Sequence, residues 1–450
     1  MELIKNLPTV VAALTFIAVI IAIATERLHL TVAAFLGSLI LVFAHILTLT
    51  EAFQYISESY STLALFFGIM VLVRSFEPTK IFDYLATEIV FLARGEGKRL
   101  LLLIVAITVP ICAILPNATT VMLLGPLIPT IAEEIGIDFV PLLVLLVIVA
   151  NSAGLLTIVG DPATFLVGDA VNISFIDYLL KLSFAGVIAI LAVLLTIPIL
   201  FRKIWRTKLS QSNFKKLPHP QINHPRVLIL GGLIVFLVLV FFIIGELLPV
   251  PISPATVALL GAALALLLAD RSKIDSVNNI LRDVDWSTLL FFACTFVLIG
   301  GLEKTGAIDL LSGFLAVVLG QNIILGTFII LFLVGLLSSF LPNITLVVAM
   351  LPLLKQYLVN VGFVSESVLS PGFEGQLPAE ILPLFYAMMF GATLGGNATL
   401  MGASSNIVAA GIAELNGKSI SFKTFSSYGI PITILQLSVA AFYLLFAFFV

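Results

Sequence analysis

The chain has 450 residues, 60% of them hydrophobic and 10% charged, with a net charge of −3. Soluble domains carry about 25% charged residues, so this composition, with a mean hydropathy of +1.21, excludes a water-soluble globule. The near-neutral balance names no partner by itself, and Cys112 and Cys294, far apart within apolar runs, read as packing residues.

Runs long enough to cross a bilayer, about 20 residues each, begin with 9–24, 30–48 and 62–76. The first lacks the basic start and small-residue cleavage pattern of a signal peptide, so it is predicted to be a retained span. In 79–94, Ile81, Phe82, Leu85, Ile89 and Leu92 share one helical face, which predicts a helix lying along the membrane interface. The run 99–135 is interrupted midway by Pro116-Asn117, which suits a tight turn. A re-entrant hairpin is predicted there, entering from the cytoplasm with its tip near the bilayer midplane. Residues 141–166 carry Gly160-Asp161-Pro162, which a continuous helix accommodates poorly. They predict a broken transmembrane helix, and 182–201 completes the set.

Residues 202–226 then hold Arg202, Lys203, Arg206, Lys208, Lys215, Lys216 and Arg226 with Pro218 and Pro220. The positive-inside rule puts this hydrophilic linker in the cytoplasm. Counting outward from it, only Lys5, Lys181, Lys304 and Lys355 of the 22 basic residues fall on the other side. That distribution predicts five crossings on each side of the linker, with both termini outside.

The second set runs 226–247, 253–269, 286–302, an interfacial or short tilted helix 305–319, a hairpin 322–362, a broken helix 379–412 and 426–450. It echoes the first. At the constant offset that carries Ser61 to Ser287, Thr62, Phe66, Glu77, Thr79 and Asp83 match Thr288, Phe292, Glu303, Thr305 and Asp309. Pro116, Asn117 and Thr119 match Pro342, Asn343 and Thr345 at that same offset. TIVGDPAT from Thr157 answers TLMGASSN from Thr399 at a longer one, the added chain falling in the loop 363–380. Five crossings is an odd number, so the second set enters the membrane upside down. The predicted fold is an all-α polytopic membrane protein built as an inverted repeat, 1–206 and 226–450, around a linker at 207–225.

Breaks in apolar helix expose backbone groups that need protein, ion or water partners. The candidate residues therefore lie at the four interruptions, expected to converge on a polar chamber within the membrane. At the hairpin tips, Asn117, Thr119, Thr120, Asn343 and Thr345 sit where a helix begins and presents free N–H groups. For each Asn alone, capping its own turn is the alternative to ligand contact. At the broken helices stand Gly160, Asp161, Thr164, Gly402, Ser404, Ser405 and Asn406, flanked by Asn151 and Asn397. Asp161 is the one carboxylate well inside a predicted span. Such a residue costs about 2.5–3.5 kcal/mol on insertion scales and marks a proton or cation site by default, with capping of the restarted helix as the alternative. No Lys or Arg falls at the interruptions, so a charged anion would rely on helix dipoles and a co-bound cation. No nucleotide-binding phrase, His-rich cluster or pair of intramembrane carboxylates points to an ATP-driven pump or an enzyme.

LPNATTVML, TIVGDPAT and above all LGGNATLMGASSNIVAAGIAE at 394–414 resemble the ion transporter superfamily, in the arsenite permease and P protein branch, which is sodium/proton antiporter-like. The resemblance covers nearly the whole chain. It implies an inverted repeat working as a homodimeric elevator. One half-site would comprise Asn117, Thr119, Gly160 and Asp161, and the other Asn343, Thr345, Asn397, Gly402, Ser405 and Asn406. Thr164 stands where relatives usually have Asn, and Pro-Asn replaces the Ser-Asn-Thr of the superfamily's dicarboxylate carriers. The expected function is a secondary active transporter of a small ion or oxyacid, arsenite-like or an inorganic or organic anion. A Na⁺/H⁺ antiporter, or an anion channel on the same fold, is the alternative. Na⁺ or H⁺ is the expected coupling ion, with Na⁺ placed at Asn117, Gly160, Asn343 and Gly402. No cofactor and no nucleic acid is expected, and the setting is the lipid bilayer of the plasma (inner) membrane.

Overall fold

A computed structural model describes residues 7–25, 27–93, 96–208, 222–369, 373 and 375–450. Most of the predicted linker, 209–221, lies outside the described residues, as do Arg94 and part of the 363–380 loop. In chain order the helices are α1 (Leu7–Ala24), α2 (Leu30–Phe43), α3 (Leu49–Glu58), α4 (Tyr60–Arg74), α5 (Ile81–Ala93), α6 (Gly97–Cys112), α7 (Asn117–Leu124) and α8 (Leu127–Ile135). They continue with α9 (Val140–Ala153), α10 (Pro162–Ala170), α11 (Phe175–Lys181), α12 (Ser183–Leu200) and α13 (Arg202–Trp205). After the linker come α14 (Pro225–Ile244), α15 (Pro254–Ser272), α16 (Val277–Arg282), α17 (Trp286–Lys304), α18 (Ala307–Leu319) and α19 (Ile323–Ser338). The last four are α20 (Asn343–Asn360), α21 (Leu382–Gly395), α22 (Ser404–Leu415) and α23 (Phe422–Phe448).

Local chemistry explains the boundaries. Thr48 and Glu51 form a capping box at the start of α3, and Asp285, Asn322 and Ser421 each accept an N–H from the first turn of α17, α19 and α23. Proline occupies the first turn of α9, α10, α14 and α21, where its missing N–H costs nothing. Gly306 and Gly320 bracket α18 with positive φ, and the chain turns 115° from α18 into α19. Among the described residues, seven helices are long and apolar enough to cross a membrane, or up to nine with each sharply bent pair taken as one span.

The boundaries recur along the chain. The offset from Ser61 to Ser287 also carries both ends of α5 onto those of α18, and both ends of α6 onto those of α19. The longer offset, from Thr157 to Thr399, carries both ends of α9 onto those of α21 and the start of α10 onto that of α22.

Two groups of helices result. α4 packs on α15, α2 on α17 and α14 on α15, forming a frame drawn from both sides of the linker. Within the rest, α9 and α21 are apolar apart from Asn151, Ser152 and Thr393 and buried nearly along their length, as central helices must be. The tip helices cross over: α7 packs on α9 and α22, while α20 packs on α10 and α21. Each hairpin tip is thus seated on the restarted helix of the other side, which brings the four interruptions together. Outward faces of α12, α14 and α23 stay apolar, with Leu195, Phe236 and Ile434 exposed as lipid-facing positions are.

Candidate functional site

Both hairpin tips work alike. Pro116 and Pro342 hold extended backbone (ψ 141° and 129°), and the next residue begins a helix. Asn117 Oδ1 accepts from Ala118 N–H at 2.8 Å, and Asn343 Oδ1 from Ile344 N–H at 2.9 Å. Each carboxamide oxygen is spent on its own turn, so each Nδ2 faces inward. Asn117 Nδ2 donates to Asp161 Oδ1 at 3.0 Å and to Asn151 Oδ1 at 3.0 Å. Asn343 Nδ2 donates to the same carboxylate, at 3.3 Å to Oδ1 and 3.5 Å to Oδ2. Capping and inward contact, alternatives in the sequence, coexist in one side chain.

The helix breaks are longer than the Gly-Asp-Pro phrase suggests. After α9 the chain tightens into a 3₁₀ turn at Gly154–Leu156, extends at Thr157 and restarts only at Pro162. Asp161 (φ −144°, ψ 134°) and its counterpart Ala403 (φ −145°, ψ 148°) take the same extended step before the restart. Two glycines allow each break to press on a hairpin. A Cβ on Gly160 would lie 2.7 Å from Cys112 O, and one on Gly402 2.6 Å from Ser338 O, the last carbonyls of α6 and α19. Thr157 Oγ1 donates to Ala113 O at 2.6 Å, and Thr399 Oγ1 to Ser339 O, tying each break to a hairpin turn.

Between these elements lies a continuous polar cluster. Asn151 Nδ2 donates to Asn397 Oδ1 (3.1 Å) and Asn406 Oδ1 (3.0 Å), while its Oδ1 also accepts from Ser405 Oγ (2.5 Å). Asn406 Nδ2 satisfies the freed carbonyls of Gly396 and Thr399, both at 2.8 Å. Asn397 Nδ2 reaches Ser152 Oγ (3.2 Å) and Gln436 Oε1 (3.0 Å), and Gln436 Nε2 donates to Ser152 Oγ and Ala189 O. Thr393 Oγ1 donates to Asp161 Oδ2 at 3.1 Å. Every member is at most 3% exposed, so the cluster is closed from solvent. The expected chamber is instead a packed knot of mutually bonded side chains. Among the described residues, no Lys, Arg or His joins it.

Of the predicted residues, Asn117, Asn151, Asp161, Asn343, Asn397, Ser405 and Asn406 meet side chain to side chain, with Gly160 and Gly402 supplying close backbone approach. Thr345, in the first turn of α20, has a buried hydroxyl with no hydrogen-bond partner. The buried hydroxyls of Thr120 and Thr164 lie beside Cys112 and Tyr178 without closing a hydrogen bond of normal geometry. Ser404 is half-buried at the start of α22 and outside the cluster. Thr119 faces away, half-buried, into a separate cavity of ≈320 Å³ that it shares with Arg74, Glu77 and Asp283. There Arg74 binds Asp283 (2.6 Å), Asp275 (3.1 Å) and Glu77 (3.2 Å). That guanidinium, with Arg282, holds the Asp283 carboxyl below the usual range.

Sequence reasoning missed Thr393, Ser152 and Gln436. Thr393 had a signal, since the offset that pairs the two breaks makes it the counterpart of Asn151. Gln436 is the one carboxamide in the run 426–450, an intramembrane polar residue of the kind that marks function or helix contacts.

Comparison with known proteins agrees with this architecture. The family profile described as citrate transporter (CitMHS) matches residues 20–371. An uncharacterized transporter of Synechocystis sp. is 65% identical over 99% of both chains. An uncharacterized transporter of Mycobacterium tuberculosis is 31% identical over 98% of this chain and 99% of its own. The human P protein is 29% identical over 94% of this chain and 58% of its own. Among solved structures, the YdaH transporter of Alcanivorax borkumensis superposes with a TM-score of 0.59 over 90% of this chain and 88% of its own. At 14% identity that likeness is one of fold.

Proposed function

The chain belongs to the citrate transporter (CitMHS) family, and on that premise we propose a secondary active transporter that moves a small ion or oxyacid by alternating access, coupled to H⁺ or Na⁺. The observation that carries the proposal is the setting of Asp161. Its carboxylate is buried among apolar helices and held by Asn117 from one hairpin tip, Asn343 from the other and Thr393 from α21. All three donors are neutral. A carboxylate at that depth is expensive, and dipolar donors reduce its cost without cancelling its charge. A proton or a small cation would cancel it, which is the chemistry a coupling site needs.

The solute would sit against the same surfaces. Asn117, Asn151, Asn343, Asn397, Ser405 and Asn406 offer donors and acceptors, and the start of α20 offers the free Thr345 hydroxyl. An anion there meets no basic side chain and must arrive with its charge offset by a cation, by protonation or by helix N-termini. A neutral oxyacid needs no such help. The family name adds citrate to arsenite-like species, inorganic anions and sodium as solutes to test. Sodium/proton antiport is the second reading, favoured by the same buried carboxylate with only neutral partners, where cation and proton would compete.

In this reading 1–206 and 226–450 are the two halves of an inverted repeat, with the 207–225 linker cytoplasmic. The matched helix boundaries and the crossed seating of α7 on α22 and α20 on α10 support it. The protein would work as a homodimer in the plasma membrane. A proteoliposome uptake screen with citrate, arsenite, chloride, sulfate and sodium, each across a pH gradient, tests the function. Saturable, gradient-driven uptake of one solute is expected. Flux that rises linearly with concentration and ignores both proton and sodium gradients would rule out a coupled carrier.

A further inference from the structure

A half-open cavity of ≈300 Å³ lies beside the first hairpin and is lined almost wholly by carbon. Its walls come from three sources: Leu72 and Phe76 at the end of α4, Val238 and Phe242 of α14, and Ile111 and Leu115 at the turn of the hairpin. The size is that of a small-molecule site, yet the walls offer a polar solute nothing to bind. α14, which forms one wall, turns Leu233 and Phe236 outward at 58% and 65% exposure, toward the acyl chains of the bilayer. The apolar species abundant on that side is lipid.

Basic residues follow in the chain beyond one end of the cavity. Phe76 closes against Gly231, where a Cβ would lie 2.3 Å from the ring, so α14 is drawn tightly onto the end of α4. Beside that contact Asn223 N–H donates to Thr79 O at 3.0 Å. The two contacts tie the chain just before Lys80 to the chain just before Arg226, so both basic residues belong to the same end of the α4–α14 seam. Both side chains are exposed, and among the described residues neither makes an ion pair. Two unpaired cations at the head of an apolar slot match a phospholipid with a negatively charged headgroup.

We propose that this cavity is a lipid site: it takes one acyl chain of an anionic phospholipid, whose phosphate is held by Lys80 and Arg226. A chain seated there fills the seam between α4 and α14 on one side and the α6–α7 hairpin on the other. It packs against the hairpin turn without touching the polar cluster.

Native mass spectrometry of the full-length protein tests this directly, with phosphatidylglycerol and phosphatidylcholine of identical acyl chains added in equal amounts. The wild-type protein is expected to retain phosphatidylglycerol at least fivefold over phosphatidylcholine. Val238→Trp, which fills the slot, should lower retention at least fivefold, whereas Leu233→Trp on the outward face of the same helix should not. Leu72→Phe serves as a milder filling variant if Val238→Trp does not fold, with α-helical circular dichroism as the check. The double variant Lys80→Ala/Arg226→Ala should keep a bound lipid and lose the preference for phosphatidylglycerol. Equal retention of the two lipids by the wild type would overturn the headgroup contact. Undiminished retention in the filled variants, or an equal loss in Leu233→Trp, would overturn the cavity as the site.

Discussion

Asn117 and Asn343 show how one residue type serves two ends. The oxygen of each carboxamide is committed to its own helix start, which turns the nitrogen inward to Asp161. Replacing Asp161 by Asn keeps the size and removes the ionisable group. Asp161→Asn is expected to abolish the pH dependence of transport while the protein stays folded in detergent. Wild-type pH dependence in that variant would remove Asp161 from coupling. Asn151 tests the scaffolding role, because its carboxamide bonds Asn117, Asn397, Asn406 and Ser405. A polar contact between membrane helices is worth on average about 0.6 kcal/mol, so losing four predicts that Asn151→Ala costs ~2 kcal/mol in unfolding free energy. A loss too small to measure would mean that the cluster reorganises around the gap. Asn117, Asp161 and Asn343 were legible in sequence because Pro and Gly neighbours marked them as interruptions. Ser152 was not, since a small hydroxyl beside Asn151 adds no signature of its own, and Gln436 was marked only by being a carboxamide in an apolar run. Thr119 shows the opposite failure: adjacency to the tip implied that it points inward, and the helical turn carries it to the far side.

At the scale of elements, each broken helix is pressed onto the end of a hairpin arm through a glycine. Gly160→Ala and Gly402→Ala should each cost about 1–3 kcal/mol by overpacking, because the obstructing atom is backbone in both cases. Thermal unfolding in detergent measures it; a Tm equal to wild type in both would show that the contact has slack. The extent of the breaks was not legible. Ala153 to Leu156 reads as ordinary apolar helix, and only the tertiary ties from Thr157 to Ala113 and from Thr399 to Ser339 explain why helix gives way early. The frame carries its own tie, Lys304 to Glu51 at 2.5 Å, across the two sides of the linker. That bond and the Thr48 capping N–H hold Glu51 down at about 2, from an ordinary 4.5. A depressed carboxylate contributes stability above its unfolded value, and the contribution disappears as pH falls through the folded one. The melting difference between wild type and Glu51→Gln should therefore be small at neutral pH and close between pH 4.5 and about 2. A gap that stays constant through that window would show that the ion pair adds nothing.

The whole molecule is organised by crossing. Frame and centre both draw helices from either side of the linker, and each tip rests on the other side's restarted helix. The constant offset between the two sets was legible because polar positions such as Glu77 and Glu303 survive in a chain otherwise free to vary its apolar residues. Closure of the polar groups on one another was not legible, since it depends on side-chain pairings remote in the chain, such as Asn151 with Asn406. The central claim is that this knot is the solute site, opened to one face of the membrane at a time. Its most direct test is the KM for the solute transported by the wild type, measured in proteoliposomes carrying Asn117→Ala or Asn343→Ala. Each substitution removes an inward donor worth ~1.4 kcal/mol, so each is expected to raise KM about tenfold. An unchanged KM in both variants, at wild-type protein levels, would contradict the account.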